Sequence, residues 1–379
     1  MLTIYGKYAN AVVYAVKEEE YALDDHARAQ LQMICDHPSS EGSKIRVMPD
    51  VHPGKVGTVG LTMTVRDQIL PSLVGVDIGC GMTLVKIKAK NVEFQKLDAV
   101  IRDNVPAGPR IREKEHKYAD FANLEELRCY KNVNAGKAIR SIGTLGGGNH
   151  FIEVDRDEEG GLYLIIHSGS RHLGMEVADH YLRTGQKEAQ MKKQGYASYE
   201  MTCLSGSLME DYLHDLEVMQ EFARLNREAM AETILKGMKW KAEESFGCIH
   251  NYVDFSDPAT PILRKGAISA KAGERVIIPI NMRDGVILGT GLGNDDWNCS
   301  APHGSGRLWK RTEVDSQHTV SEFKKTMKGI YSTCIGKDTL DEAPFAYRSL
   351  ETITGVIGET VRIDQILKPV YNFKAGGER

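Results

Sequence analysis

The chain lacks several features that would assign it to common classes. No stretch of its 379 residues approaches ~18 uninterrupted apolar residues, so the sequence predicts no membrane-spanning helix. Its seven cysteines form no Cys-x-x-Cys pair, which favours a reducing, cytoplasmic compartment over a disulfide framework. The N-terminal residues lack the basic and then apolar layout of a signal peptide. The formal net charge of −4 gives no overall attraction to nucleic acid, although a local basic surface can still bind it.

Segments with strand-like alternation and segments with helical periodicity are mixed along the whole sequence. No linker, repeat or low-complexity stretch separates them. The predicted helices cover residues 24–35, 92–104, 172–193, 208–236, 316–329 and 341–355. The predicted strands cover short segments within 1–20 and residues 44–48, 56–65, 83–88, 151–154, 161–167, 246–253, 276–283 and 368–374. We therefore predict an α+β fold, organised as a single interwoven catalytic domain over residues 1–379, with a metal site at strand ends and helices around it.

The motif GVDIGCGM at residues 75–82 places one carboxylate, Asp77, three residues before one thiol, Cys80. Its glycines permit backbone conformations with positive φ and close approach of other groups. Half of a metal site is one interpretation of this arrangement. A tight glycine turn with a buried, inert cysteine is the other, because free cysteines are commonly small core residues.

Three histidines share the setting of Asp77 and Cys80, because each lies at an end of a predicted strand beside glycine or a small turn. They are His150, His167 and His250. Strand ends can converge at one edge of a sheet, and five ligands are more than one tetrahedral ion needs. A bridging Cys80 thiolate would allow two ions to share them. Imidazole, thiolate and carboxylate together suit Zn²⁺, Mn²⁺, Fe²⁺ or Co²⁺.

A further histidine, His303, lies between Pro302 and Gly304, with Arg307 four residues later. A histidine beside glycines and an arginine is a candidate nucleophile whose phosphorylated form nearby cations would stabilise. The segment 105–142 is the candidate surface for a polyanion. Its basic residues are Arg110, Arg112, Lys114, Lys117, Arg128, Lys131, Lys137 and Arg140.

The chain resembles the RtcB-type RNA ligases, the family of tRNA-splicing and RNA-repair ligases, nearly from end to end. The resemblance rests on eight short motifs in one order. They are PDVHPGK at 49–55, GVDIGCG at 75–81, GGGNHFIE at 146–153, HSGSR at 167–171, HN at 250–251, RKGA at 264–267, HGSGR at 303–307 and DEAP at 341–344.

This resemblance implies a GTP- and Mn²⁺-dependent ligase with two Mn²⁺ ions. The implied RNA partners end in a 2′,3′-cyclic phosphate or 3′-phosphate on one side and a 5′-hydroxyl on the other. GMP would be carried on histidine, passed to the RNA 3′-phosphate and displaced by the 5′-hydroxyl. An accessory activator protein is a further candidate partner, and no membrane is involved.

The resemblance also implies roles for individual residues. His303 matches the nucleophile, Cys80 the bridging thiolate, and Asp50 a carboxylate that orients this cysteine. Asp77 and His150 would complete one metal site, and His167 and His250 the other. Expected phosphate contacts are Arg171 and Arg307. The expected contacts to the nucleotide are Asn149, Phe151, Glu153, Asn281, His303, Gly304 and Lys374.

Two segments depart from the family pattern. PINMR at 279–283 replaces a run of small residues near the nucleotide, and LWKR at 308–311 replaces a Met-Ser-Arg ending. These departures and the shorter chain indicate a divergent branch. Two other functions stay open on the residues alone. A binuclear metallohydrolase that opens cyclic phosphates would need the metal ligands but not His303, and a non-catalytic RNA-binding subunit would need neither.

Overall fold

Two large β-sheets dominate the computed structural model, which describes residues 1–14, 23–191 and 198–375. The first sheet has seven strands, all antiparallel to their neighbours, in the order β10-β6-β8-β7-β17-β15-β14. These strands are β6 (Gly81–Ile87), β7 (Phe151–Arg156), β8 (Leu162–Ser168), β10 (Ala242–Ile249), β14 (Arg275–Asn281), β15 (Gly285–Gly291) and β17 (Val361–Lys374). The interior strand β8 is buried over its whole length, as its continuous apolar run predicts.

The second sheet has six strands in the order β1-β2-β3-β4-β12-β11, and only β2 and β3 are parallel among its described strands. These strands are β1 (Leu2–Tyr5), β2 (Asn10–Val13), β3 (Ile45–His52), β4 (Val59–Thr64), β11 (Asn251–Asp254) and β12 (Ile262–Lys265). Two small ladders pair β5 (Gln68–Ile69) with β9 (Leu204–Ser205) and β13 (Ala267–Ser269) with β16 (Ser300–Pro302).

The helices pack against the faces of the sheets. They are α1 (Asp25–Cys35), α2 (Phe94–Asn104), α3 (Ala135–Ser141), α4 (Arg171–Met191), α5 (Gly206–Met238), α6 (Arg311–Gln317), α7 (Val320–Thr326) and α8 (Leu350–Thr354). The long helix α5 contributes to two hydrophobic clusters, one with the six-stranded sheet and one with the seven-stranded sheet. This shared helix joins the two layers, and the α+β prediction is confirmed.

Local signals located several elements correctly. Asp24 caps α1, since its carboxylate accepts hydrogen bonds from the backbone of His26 at 2.8 Å and of Ala27 at 3.1 Å. The predictions for α2, α4 and α5 are confirmed within about two residues at each end that the structure describes. The predicted ends at residues 15–20 and 192–193 lie outside the described residues.

Three predicted elements are wrong. The helix at 316–329 is two short helices, because Thr319 and Glu322 form a capping box that starts α7 anew. The helix at 341–355 is instead 3₁₀ turns at Lys337–Glu342 and Pro344–Ala346 followed by α8. The strand at 246–253 is divided at His250 between the two sheets. Within the described residues, no helix combines the length and apolar character needed to cross a membrane.

Candidate metal centre and nucleotide cleft

The segments that carry the five predicted metal ligands meet at one edge of the seven-stranded sheet. Cys80 immediately precedes β6, and His150 immediately precedes β7, whereas His167 lies near the end of β8. Because these strands are antiparallel, the starts of β6 and β7 lie beside the end of β8, and His167 is in register with Met82 and Phe151. His250 follows β10, whose last residue pairs with Gly81. Backbone pairing therefore brings together ligands that are distant in sequence.

The ligand atoms form two groups that share the Cys80 sulfur. Asp77, Cys80 and His150 form one group, and Cys80, His167 and His250 form the other, with the ligand atoms of each group within 4.8 Å of one another. The Cys80 Sγ atom lies 3.5 Å from His150 Nε2 and 3.4 Å from His167 Nε2. This is the arrangement expected of a thiolate placed between two cations.

Hydrogen bonds orient two of the histidines for this role. The Nδ1 atom of His150 lies 2.9 Å from the carbonyl of Leu145, and that of His167 lies 3.2 Å from the carbonyl of Asn149. A carbonyl only accepts, so each Nδ1 carries a proton and each Nε2 is the nitrogen left to bind a cation. Burial and neighbouring imidazoles lower the pKa of His167 and His250 well below the ordinary range, so both are neutral and available as ligands.

The acidic ligands also suit a cation. Although burial opposes ionisation, contact with His150 and the charge of Arg171 lower the pKa of Asp77 to about 2. Burial and the charge of Asp77 raise the pKa of the Cys80 thiol well above its usual range, and a metal ion would displace that proton. The donor set therefore fits divalent transition-metal ions, and cation binding is expected to release a proton from Cys80.

Two glycines are required by this geometry. Gly79 has φ of 70°, and a Cβ atom there would lie 2.9 Å from the Cα atom of Gln220 in α5. Gly169 leaves room for the Asp77 carboxylate, because a Cβ atom there would lie 2.2 Å from Asp77 Oδ1. Side chains at either position would move the loop of Asp77 and Cys80 or displace the carboxylate.

His303 stands next to this centre, on the other side of His250. The rings of His250 and His303 have centroids 4.7 Å apart. His303 Nδ1 lies 2.7 Å from the Oδ2 atom of Asp50, a fully buried residue of β3. This contact corrects the expectation that Asp50 orients Cys80, since its carboxylate instead contacts the His303 imidazole. The carboxylate holds the proton on Nδ1 and leaves Nε2 as the free lone pair.

A cleft of about 610 Å³ opens beside His303. Its volume falls in the range of small-molecule sites. Its wall includes every predicted nucleotide contact, namely Asn149, Phe151, Glu153, Asn281, His303, Gly304 and Lys374, together with Arg307. The Asn281 side chain accepts hydrogen bonds from the backbone of Arg283 and Asp284 within its own turn, which explains its place at the end of β14.

The buried carboxylate of Glu342 forms ion pairs with three basic side chains of this cleft. Its Oε2 atom lies 2.7 Å from Lys374 Nζ, its Oε1 atom lies 3.2 Å from Arg307 Nη1, and it also pairs with Arg311. Burial opposes its ionisation, but these three cations lower the pKa of Glu342 to about 2. Glu342 therefore stays ionised at neutral pH and fixes Lys374 and Arg307 in the cleft wall.

Glu153 of the cleft wall forms a buried acidic pair with Asp155. Glu153 and Asp155 are both buried on one face of β7, and Asn372 donates a hydrogen bond to Glu153. Burial raises the pKa of Glu153 to about 7, and burial beside Glu153 raises the pKa of Asp155 well above its usual range. Two buried carboxylates in contact cannot both ionise easily, so the pair holds a proton near neutrality.

This pair makes stability depend on pH. The raised pKa of Glu153 means that the folded state holds more protons than the unfolded state between about pH 5 and 7. The contribution of Glu153 to the free energy of unfolding is therefore fully present below about pH 5, and it is lost as the pH rises to about 7. Glu153→Gln is expected to gain about 1–3 kcal/mol relative to wild type across that window, measured by denaturant unfolding of metal-free protein. Glu159→Gln, at an exposed position of the same hairpin, is the control. A constant offset between Glu153→Gln and wild type would contradict the assignment.

Arg171 lies outside the cleft, on the Asp77 side of the ligand groups. Its Nη2 atom donates to the carbonyl of Gly108 at 3.0 Å and its Nε atom to Thr144 Oγ1 at 3.2 Å. Arg171 therefore connects the Gly108 backbone to the Asp77 side of the ligand groups. Part of the predicted basic surface is neutralised, since Lys117 pairs with Glu232 and Arg128 lies 3.9 Å from Asp211. Lys114, Lys131 and Lys137 are exposed.

Several residues of the cleft were missed as site residues by sequence reasoning. His52 lines the cleft, and its Nδ1 atom lies 2.9 Å from the carbonyl of Asp50. Arg348 also lines it and donates to the carbonyls of Ser305 and Val51. Both belong to segments close to recognised motifs, and His52 lies within PDVHPGK itself. In the sequence, only their proximity to these motifs indicates a role in the site, because their positions along the chain do not predict that they lie near His303.

Fold and site together define a metalloenzyme candidate in which a histidine held by a carboxylate lies between two candidate metal-binding groups and a cleft of about 610 Å³. The family model described as tRNA-splicing ligase RtcB matches residues 30–128 and 120–375. The chain belongs to the RtcB family of RNA ligases.

Named relatives come from bacteria and archaea. RNA-splicing ligase RtcB of Escherichia coli K12 is 31% identical over 367 residues, covering 87% of this chain and 90% of that protein. RNA-splicing ligase RtcB2 of E. coli ATCC 25922 is 27% identical, covering 98% and 99%. tRNA-splicing ligase RtcB of Nanoarchaeum equitans is 26% identical, covering 93% and 90%. The similarity therefore extends over most of the chain and most of each relative.

Proposed function

We propose that the protein is a GTP- and Mn²⁺-dependent RNA ligase acting in RNA repair or tRNA splicing, with the whole chain as one catalytic domain. It joins RNA ending in a 2′,3′-cyclic phosphate or 3′-phosphate to RNA with a 5′-hydroxyl. The observation that carries the proposal is the contact of His303 Nδ1 with Asp50 Oδ2 at 2.7 Å, beside both the cleft and the ligand groups. A partly exposed histidine whose one nitrogen is held by a buried carboxylate presents the other nitrogen as a nucleophile.

The first step transfers GMP to His303. Its Nε2 lone pair forms a bond to the α-phosphorus of GTP while the bond to pyrophosphate breaks, and pyrophosphate leaves. Asp50 keeps the proton on Nδ1 and stabilises the positive charge that the ring gains. Bound Mn²⁺ would neutralise phosphate charge and align the attacking and leaving groups.

The next steps use this GMP to activate the RNA. Where the RNA end is cyclic, water first opens it to give the 3′-phosphate. An oxygen of this phosphate then attacks the GMP phosphorus, and the bond between GMP and His303 breaks. The 5′-hydroxyl of the second RNA then attacks the 3′-phosphorus, loses its proton and expels GMP. Without this activation a terminal phosphate has no adequate leaving group.

The cleft supplies the nucleotide contacts. The Phe151 ring lies 5.3 Å from Lys374 Nζ, which Glu342 holds in place. We assign guanine and ribose contacts to Asn149, Phe151, Glu153, Asn281, Gly304 and Lys374, and phosphate contacts to Arg171 and Arg307. The RNA would approach from the Asp77 side, where Arg171 and the segment after Gly108 lie.

The alternative of a binuclear metallohydrolase shares the ligand set. It has no need for His303 to be held by Asp50 or for a cleft with three cations around Glu342. These features favour the ligase. A non-catalytic RNA-binding subunit would have no reason to keep five metal-binding side chains converged.

The test uses wild-type protein, Mn²⁺, α-labelled GTP and RNAs with a 2′,3′-cyclic phosphate and a 5′-hydroxyl. Acid-labile labelling of the protein and a joined RNA product are the expected results. Opening of the cyclic phosphate without labelling or joining would establish the hydrolase instead. Neither labelling nor opening, with the protein folded and RNA bound, would favour the binding subunit.

A further inference from the structure

Helix α5 carries two adjacent polar residues within its buried face. Asn226 is 0% exposed and Arg227 is 2% exposed, although the helix around them packs with apolar side chains such as Phe222 and Met230. Within the described residues no salt bridge accounts for the burial of Arg227, whose hydrogen bonds go to carbonyl and hydroxyl oxygens. The contacts of the two side chains show what they do.

The Arg227 guanidinium joins two of the ligand segments. Its Nη1 atom donates to the carbonyl of Gly79 at 2.9 Å and to the carbonyl of Ser168 at 2.9 Å. Its Nε atom donates to Thr83 Oγ1 at 3.2 Å. Gly79 directly precedes Cys80, and Ser168 directly follows His167. One planar side chain therefore fixes the distance between the backbones of these two ligands.

The Asn226 amide joins a third ligand segment to the second. Its Oδ1 atom accepts hydrogen bonds from the backbone of Gly143 at 2.8 Å and of Thr144 at 3.0 Å, at the start of the loop that leads to His150. Its Nδ2 atom donates to Ser168 Oγ at 3.2 Å and to the carbonyl of Gly169 at 3.0 Å.

The hydrogen bonds continue from this loop to the ligand. The next carbonyl, that of Leu145, accepts from Ser168 Oγ at 2.8 Å and lies 2.9 Å from His150 Nδ1. The Asn226 amide is therefore linked through Ser168 and Leu145 to the ring that it helps to orient. All four side-chain hydrogen-bonding sites of the amide are used.

We propose that Asn226 and Arg227 are positioning residues that preorganise the metal centre by locking three ligand segments onto one rigid helix. The inference rests on the metal centre of the proposed function. The two side chains touch backbone and hydroxyl groups and none of the ligand atoms, so they act on geometry. Residues that orient metal ligands in this way typically contribute 10–100-fold to metal affinity.

The experiment titrates metal-free protein with Mn²⁺ by calorimetry and with Co²⁺ by visible absorbance, which reports thiolate coordination. Arg227→Met is expected to weaken binding of both ions about 10–100-fold. Arg227→Lys keeps the charge but not the planar fork, and is expected to bind with intermediate affinity. Asn226→Ser is expected to weaken binding chiefly in the group that contains His150.

The matched control is Asp215→Asn, at a buried polar residue of the same helix. Asp215 accepts from the backbone of Arg128 at 2.7 Å and Cys129 at 3.1 Å and from Tyr181 at 2.7 Å, none of which carries a metal ligand. This variant is expected to lose unfolding free energy while binding both ions as wild type does. A purely structural role for Arg227 would make the two variants behave alike.

Two results would overturn the inference. The first is that folded Arg227→Met binds both ions with wild-type affinity. The second is that it binds them more tightly, which would show that repulsion between the guanidinium and the cations outweighs any positioning effect. If Arg227→Met does not fold, Arg227→Lys and Asn226→Ser decide by the same criterion. Wild-type protein that binds neither ion would instead contradict the metal centre of the proposed function, so the two failures are distinguishable.

Discussion

A His303→Ala variant is expected to take no acid-labile label from α-labelled GTP, and joining of RNA ends is expected to fall below detection. The physical reason is that alanine removes the only group assigned to form a covalent bond with GMP. The contact with Asp50 at 2.7 Å and the 4.7 Å separation from the His250 ring place this imidazole between the cleft and the ligand groups. Nucleophile removal typically costs many orders of magnitude, because no neighbouring group replaces the lost bond.

The variant also distinguishes ligation from its preceding step. Opening of a 2′,3′-cyclic phosphate requires no histidine adduct, so His303→Ala is expected to retain metal binding and cyclic-phosphate opening. His214→Ala is the control, since His214 lies in α5 beside Asp215 and away from the cleft. Undiminished labelling of folded His303→Ala would exclude His303 as the nucleophile.

Replacing Cys80 with alanine is expected to remove both metal ions together, so the bound metal falls from about two equivalents to nearly none. The Cys80 sulfur belongs to both ligand groups and lies within 3.5 Å of two imidazole nitrogens. Each group would keep only two other ligands after the substitution. Elemental analysis after desalting measures the stoichiometry, and labelling by GTP is expected to disappear with the metal.

Cys129→Ala provides the matched control, because Cys129 is equally buried but belongs to neither ligand group. It is expected to retain both equivalents. Loss of one equivalent from Cys80→Ala would mean that the thiolate serves a single ion, and retention of two would exclude Cys80 as a shared ligand.

The convergence of the five ligands was predictable because their local settings were alike. Cys80, His150, His167 and His250 each lie beside a strand end, Asp77 lies three residues before Cys80, and antiparallel pairing brings such ends to one edge. The cap of α1 and the apolar face of α5 were readable for similar local reasons. Helix α5 also shows the limit of this reasoning, since its apolar periodicity does not indicate that Asn226 and Arg227 contact the ligand segments.

The remaining parts depend on contacts between distant segments. The pairing of His303 with Asp50 joins residues 253 positions apart, and no local pattern indicates it. The role of Glu342 was hidden because the DEAP segment was predicted to begin a helix, whereas 3₁₀ turns carry the carboxylate into the cleft wall. The break at His250 was hidden because the apolar alternation continues across it while the chain passes from one sheet to the other.

The wide spacing of these contacts has a consequence during protein synthesis. Asp50 and Asp77 lie in the first quarter of the chain, whereas His303 and Lys374 lie in the last. A chain that ends before residue 303 therefore lacks the histidine that Asp50 holds, and a chain that ends before residue 374 lacks Lys374 of the cleft wall. If the proposed function is correct, capture of the nucleotide is therefore expected only when translation is nearly complete.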